Sequence, residues 1–133
     1  MTIRHEDLAA WRHSLALAAK VYAATRQLPS DEPLGLVGEL RRAALSVPSS
    51  IAEGAARGHR GEFVHCLQAA RCALAQLQTQ LLIAVTQELM AHATSPLGDV
   101  TEVARELERL IRRVRASALV AHARACAPQP RER

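Results

Sequence analysis

Apolar residues in this chain recur at steps of three and four, the pattern of helices that turn one face to a core. The first stripe takes Leu8, Trp11, Leu15, Ala18, Tyr22 and Thr25 and carries on to Leu28, with Arg12, Lys20 and Arg26 on the other side. Asp7 precedes it as a candidate N-cap, since a carboxylate accepts from the first free amides and suits the positive end of the helix dipole. A second stripe takes Leu36, Leu40, Ala43, Ala44 and Val47, then resumes with Ile51 and Ala52. The third is the cleanest, with Phe63, Leu67, Ala70, Leu74, Leu77, Leu81 and Ala84, widened by Ile83, Val85 and Leu89. Its width, and the uncharged Gln68, Gln76, Gln78 and Gln80 beside it, suit a helix buried on more than one side, as at a subunit interface. The fourth stripe is Val100, Val103, Leu107, Leu110, Ile111, Val114 and Ala118.

Punctuation between the stripes is strong. Pro29 and Pro33 bracket a turn, Gly58 and Gly61 mark a second, and Ser95-Pro96 with Gly98 marks a third. Asp99 with Glu102 three residues on reads as a capping box for the last helix. Short connections make neighbouring helices antiparallel. The fold expected is all-α: an up-down-up-down antiparallel four-helix bundle over residues 1–124, one domain, followed by a flexible tail at residues 125–133. Pro48 lies deep inside the second stripe, where it removes a backbone donor and crowds the preceding turn at a cost of about 3 kcal/mol. The second helix is therefore expected to be kinked at Pro48.

Composition agrees with helices. Hydrophobic residues make up 49% of the 133, and Trp11, Tyr22 and Phe63 are the only aromatics. A core of Leu and Ala favours packed helices over sheet, and so few rings make a base-stacking platform a poor expectation. The net charge is +4, with sixteen arginines to the single Lys20. The arginine fork suits phosphate and carboxylate, although a GC-rich genome also encodes arginine in place of lysine. Three cysteines, Cys66, Cys72 and Cys126, make an odd number without disulfide spacing. The first helix starts almost at once, which points to the cytoplasm, and the most apolar run, residues 81–85, is far too short for a membrane.

Candidate chemistry is confined to charged clusters. Arg41 and Arg42, with Pro48 and Glu53, either meet a phosphate or form structural ion pairs, within the bundle or across an interface. The structural reading is favoured, because Glu53 would weaken a phosphate site. Arg57, His59 and Arg60, with Arg71 on the third helix, form a candidate nucleic-acid-binding rim whose contacts would be to backbone phosphate. On the fourth helix Glu106–Arg109 and Glu108–Arg112 stand at helical pairing distances, so its arginines read as a salt-bridged outer face. His65, Cys66 and Cys72 lack metal-ligand spacing. No catalytic set, metal site or cofactor is indicated, and an enzyme is not expected.

Residues 35–54, GLVGELRRAALSVPSSIAEG, resemble the signature of small four-helix-bundle proteins encoded in intervening sequences of large-subunit ribosomal RNA genes, roughly G-L-x-x-Q-x-R-R-A-A-x-S-I-P-S-N-I-A-E-G. The matches include Gly35, Leu36, Arg41, Arg42, Ala43, Ala44, Ser46, Pro48, Ser49, Ile51, Ala52, Glu53 and Gly54. The likeness extends to Asp7, Leu8 and Trp11, to Glu62, Phe63 and Leu67, and to Leu77, Thr79 and Leu81, covering about residues 7–90. Glu39 and Ser50 stand where Gln and Asn are usual, His59 replaces a Ser cap, and Gln76 and Gln78 replace glutamates. The resemblance implies a homopentamer. It also implies distant kinship with the accessory proteins of diversity-generating retroelements, basic pentameric bundles that bind a reverse transcriptase and nucleic acid. The expected function is thus a non-enzymatic, homo-oligomeric accessory protein associated with ribosomal or other RNA. Its expected partners are itself, RNA and a reverse transcriptase, with no membrane. The alternative is a protein–protein scaffold that binds no nucleic acid.

Overall fold

The computed structural model describes residues 3–126, and side chains as far as residue 117. It is built from four helices: α1 (Ala9–Thr25), α2 (Leu36–Arg57), α3 (Arg60–Thr86) and α4 (Leu97–Cys126). Single 3-10 turns occur at His5–Asp7 and His92–Thr94, and there is no strand among the described residues. The helices pack in the cyclic order α1–α2–α3–α4–α1, with the α2–α3 contact the most extensive. Side-chain pairs fix the directions. Lys20 meets Asp99 at the start of α4 whereas His13, earlier in α1, meets Glu106 further along, so α1 and α4 are antiparallel. Arg60 at the start of α3 meets Ser117 late in α4, and Arg71 meets Glu108, so α3 and α4 are antiparallel as well. No helix among the described residues is long and apolar enough to cross a membrane.

Three of the four stripes face the core as expected. In α2, α3 and α4 the residues from Leu36 to Val47, Phe63 to Ala84 and Val100 to Val114 that make up the stripes are buried; Ala118 lies beyond the described side chains. In α1 the expectation held for Ala18, Thr25 and Leu28 and failed for the other four residues. The buried series is Ala10, Ser14, Leu17, Ala18, Val21 and Thr25, while Leu15 is 49% exposed and Leu8, Trp11 and Tyr22 are only half-buried. The core takes Leu17 and Val21 with small residues of α1, and the Trp11 and Tyr22 rings sit at its flank. Ser14 and Thr25 are tolerated inside because each hydroxyl donates to a carbonyl of its own helix, Trp11 O at 2.8 Å and Tyr22 O at 3.0 Å.

Helix ends depart from the sequence expectations in instructive ways. Asp7 is no cap: it belongs to the 3-10 turn, and Leu8 occupies the N-cap position without a side-chain bond. α1 stops at Thr25, and Leu28 tucks back into the core through a turn bonded to Thr25 O. α2 is capped from outside the helix, by the Glu32 carboxylate, which accepts from the amides of Leu34 and Leu36. His59 precedes α3 with no side-chain cap, as the loss of Ser there implies. α3 ends at Thr86, and Glu88 adopts φ 57°, a left-handed conformation rare outside glycine. α4 begins at Leu97, so Asp99 lies in its first turn and not at the cap. At the other end the helix continues to Cys126, past the expected boundary at 124, and residues 127–133 lie outside the described residues.

Pro48 is buried within α2, which is one helix from Leu36 to Arg57 and is not interrupted there. The carbonyl of Ala44 loses its usual donor as a result. On either side, Ser46 Oγ donates to Arg42 O at 2.8 Å and Ser49 Oγ to Leu45 O at 2.7 Å. Hydroxyls bonded back in this way favour helix curvature. α2 then ends at Gly58, whose φ of 76° allows the two-residue turn into α3.

That turn brings α2 close to α3 at Gly54. A Cβ there would stand 2.7 Å from Cys66 Cβ and 2.8 Å from a ring carbon of Phe63, closer than real atoms approach. Gly38, in the same helix, has nothing within 4 Å. Replacing Gly38 by Ala is therefore expected to stabilise the protein by about 0.5–1 kcal/mol through helix propensity. Gly54→Ala is expected to destabilise it by about 1–2 kcal/mol, because overpacking outweighs the same propensity gain. Chemical denaturation of the two variants checks both, and a stabilised Gly54→Ala would contradict the close approach.

Candidate functional site

Ion pairs between helices decide which charges remain available at the surface. α4 carries four carboxylates in its described part, and each one is taken. Asp99 pairs with Lys20 at 2.7 Å, Glu102 with Arg105 at 3.0 Å, Glu106 with His13 at 2.6 Å and Glu108 with Arg71 at 2.9 Å. The pairs expected within α4, Glu106–Arg109 and Glu108–Arg112, are not formed, because α1 and α3 supply nearer partners, His13 and Arg71. Arg109, Arg112, Arg113 and Arg115 are consequently exposed with no carboxylate partner among the described residues. The salt-bridged outer face expected of α4 is thus limited to Glu102–Arg105.

The signature cluster of α2 is not one constellation. Arg42 pairs with Glu39 at 2.9 Å, one turn back on the helix surface. Glu53 pairs with Arg57 at 2.6 Å, one turn forward. Arg41 points elsewhere: its Nε donates to Thr25 Oγ1 at 2.9 Å, and its guanidinium lies 4.6 Å from the centroid of the Tyr22 ring. Arg41 therefore ties α2 to the end of α1 through a hydrogen bond and a cation–π contact, and its contacts include no carboxylate. Glu53 lies twelve residues further along α2, about 18 Å away at 1.5 Å per residue.

The basic residues of the turn and of α3 are also engaged. Arg57 spans Glu53 and, at 4.0 Å, Glu62, and its pKa is raised above the ordinary guanidinium value chiefly by the hydrogen bond it donates to Glu53. Arg60 donates to the carbonyl of Ser117 at 2.7 Å. His59 is exposed at the turn. Arg71 is held by Glu108, eleven residues and about 16 Å beyond Arg60. The four residues expected as a rim are thus spread over two places, and Arg57 and Arg71 already have their charge matched.

Two open concavities of about 460 Å³ each lie on the surface. One, between α2 and α3, is lined by Ser50, Glu53, Arg57, Glu62, His65 and Cys66, so its charges close on one another. The other lies between the start of α1 and the middle of α4 and is lined by Ala9, Ala10, Glu106, Arg109, Arg112 and Arg113. The sequence pattern gave no signal for this second groove, since its two sides come from helices about 100 residues apart in the chain that only the packing brings together. Cys66 is buried and Cys72 exposed, both as free thiols, and no three His, Cys, Asp or Glu side chains among the described residues are grouped to hold a metal ion.

Fold and surface define a small all-helical bundle with an arginine-rich fourth helix, three of whose four described carboxylates are engaged by neighbouring helices. A model of the family described as 23S rRNA-intervening sequence protein matches residues 6–113. The chain belongs to that family. A comparison with curated proteins finds no match.

The contrast between Arg41 and Arg42 is testable. Arg41→Gln is expected to cost about 1–2 kcal/mol by removing the Thr25 bond and the Tyr22 stack. Arg42→Gln, whose ion pair is largely exposed, is expected to change stability by less than about 0.5 kcal/mol. Thermal unfolding of both variants at neutral pH checks the order, and equal effects would contradict the inward role of Arg41.

Proposed function

We propose that this protein is a non-enzymatic, homo-oligomeric four-helix bundle, a pentamer, that acts in the cytoplasm as an RNA-associated accessory protein. The observation that carries the reading is membership of a family described by the intervening sequences of 23S ribosomal RNA. A net charge of +4 and the unmatched arginines of α4 support a polyanionic partner. With three aromatic residues in the whole chain, contacts to RNA are to the phosphate backbone and carry little sequence preference.

Self-assembly is supported by α3. Residues 72–87 carry no charged side chain, a stretch of about 24 Å, and Leu82 and Ile83 within it are 47% and 41% exposed. A helix face of this kind is poorly suited to water and well suited to a second copy. Exposed Leu15 and Leu45 on α1 and α2 favour a second reading, a scaffold for another protein, in which RNA plays no part.

Light scattering on the purified protein is expected to give a mass near five times 14.4 kDa, about 72 kDa; a monodisperse species of one subunit would overturn the assembly. Fluorescence anisotropy with a labelled single-stranded RNA is expected to detect binding that weakens steeply as salt rises. Absence of binding at low salt would remove the RNA-associated reading and leave the scaffold.

A further inference from the structure

We infer that the groove between α1 and α4 is the seat of the RNA sugar–phosphate backbone, held by Arg109, Arg112 and Arg113. This inference rests on the RNA-associated reading above and assigns it a place on the molecule. Arg109 and Arg113 are one turn apart on α4, about 6 Å along the helix, and Arg112 lies between them in sequence. All three are exposed and line one groove of about 460 Å³. None has a carboxylate partner among the described residues, in contrast to Arg42, Arg57, Arg71 and Arg105, whose charges are matched.

The groove also contains a carboxylate, Glu106, which would oppose an anion if it were free. It is not free. His13 lies 2.6 Å from one of its oxygens, the other oxygen is buried, and the side chain is only 17% exposed, so little of the carboxylate reaches the opening. Ala9 and Ala10 form the α1 side of the groove, and their small side chains leave space for a phosphate and its ribose between the arginines and α1. Three unmatched guanidinium forks beside a floor of alanine suit a chain of phosphates better than an acidic peptide. Each fork takes two phosphate oxygens, and a phosphodiester chain presents a charge at every repeat.

The competing place is the turn, with Arg57, Arg60 and Arg71. There Arg57 already bridges two glutamates and Arg71 one, so a phosphate must displace a carboxylate before it binds. At the α4 groove nothing has to be displaced from the three arginines. Binding therefore favours α4.

Anisotropy titrations of the full-length protein with a single-stranded RNA at several salt concentrations test the assignment. The variant Arg109→Gln, Arg112→Gln, Arg113→Gln is expected to lose about tenfold or more in affinity at low salt. Its plot of log K against log salt is expected to flatten by about 2, since each single-strand phosphate contact contributes about 0.7. Ala9→Glu, at the first position of α1, places a carboxylate opposite the arginines where the helix dipole welcomes it, and is expected to weaken binding without loss of thermal stability. Arg57→Gln with Arg71→Gln is expected to leave affinity nearly unchanged. If the native protein binds RNA and the triple variant binds equally well, the groove assignment fails and the RNA-associated reading stands. If the native protein binds no RNA, both fall. Polyglutamate competing as well as RNA would make the site one for acidic protein and overturn the assignment. So would a triple variant whose light-scattering mass drops to one subunit, which would place the arginines in the subunit interface.

Discussion

The close approach of α2 to α3 at Gly54 sets the frame for the rest of the bundle. With no side chain at that position, Phe63 and Cys66 lie directly against the α2 backbone. The two-residue turn through Gly58 then has almost no freedom in how it sends α3 back. α3 in turn fixes α4 through Arg60–Ser117 and Arg71–Glu108, and α4 fixes α1 through His13–Glu106 and Lys20–Asp99. Ion pairs at this exposure contribute little to stability. Their larger consequence is electrostatic, because they determine which guanidinium groups face solvent unmatched.

Much of the fold was legible in the pattern of apolar positions. The main stripes of α2, α3 and α4 were read with largely the right residues, because Leu, Val and Phe there occupy the centre of each buried face, whereas Ile83, counted with α3, is 41% exposed. α1 was read only in part. Ala18, Thr25 and Leu28 are buried as expected, but Leu8, Trp11, Leu15 and Tyr22 lie at the flank, and Ala10, Ser14, Leu17 and Val21 complete the buried face. Helix ends were the least legible, since the features that set them are not local. Glu32 caps α2 from four residues away, and Glu88 takes a left-handed conformation that composition assigns to glycine.

Charge was harder to read than hydrophobicity for a physical reason. Spacing along one helix predicts pairs at three and four residues, and three such pairs exist on exposed faces, Glu39–Arg42, Glu53–Arg57 and Glu102–Arg105. Further along α4 the same rule failed. Glu106 and Glu108 had partners at suitable spacing, but helices packed beside them presented His13 and Arg71 at shorter reach. A single chain without its packing does not disclose that choice. Arg41 illustrates the same point, since its position in a conspicuous Arg-Arg pair suggested a carboxylate or a phosphate, whereas it lies over Tyr22 and bonds to Thr25.

The surface therefore divides by charge: Arg42, Arg57, Arg71 and Arg105 are matched by carboxylates, whereas Arg109, Arg112 and Arg113 have no carboxylate partner among the described residues. Modification of arginine side chains by an arginine-selective dicarbonyl reagent, read by mass spectrometry with and without single-stranded RNA, tests this most directly. RNA is predicted to protect Arg109, Arg112 and Arg113 while the modification of Arg42, Arg57 and Arg71 stays as it was. Protection centred on Arg57 and Arg71, with the α4 arginines unchanged, would contradict it.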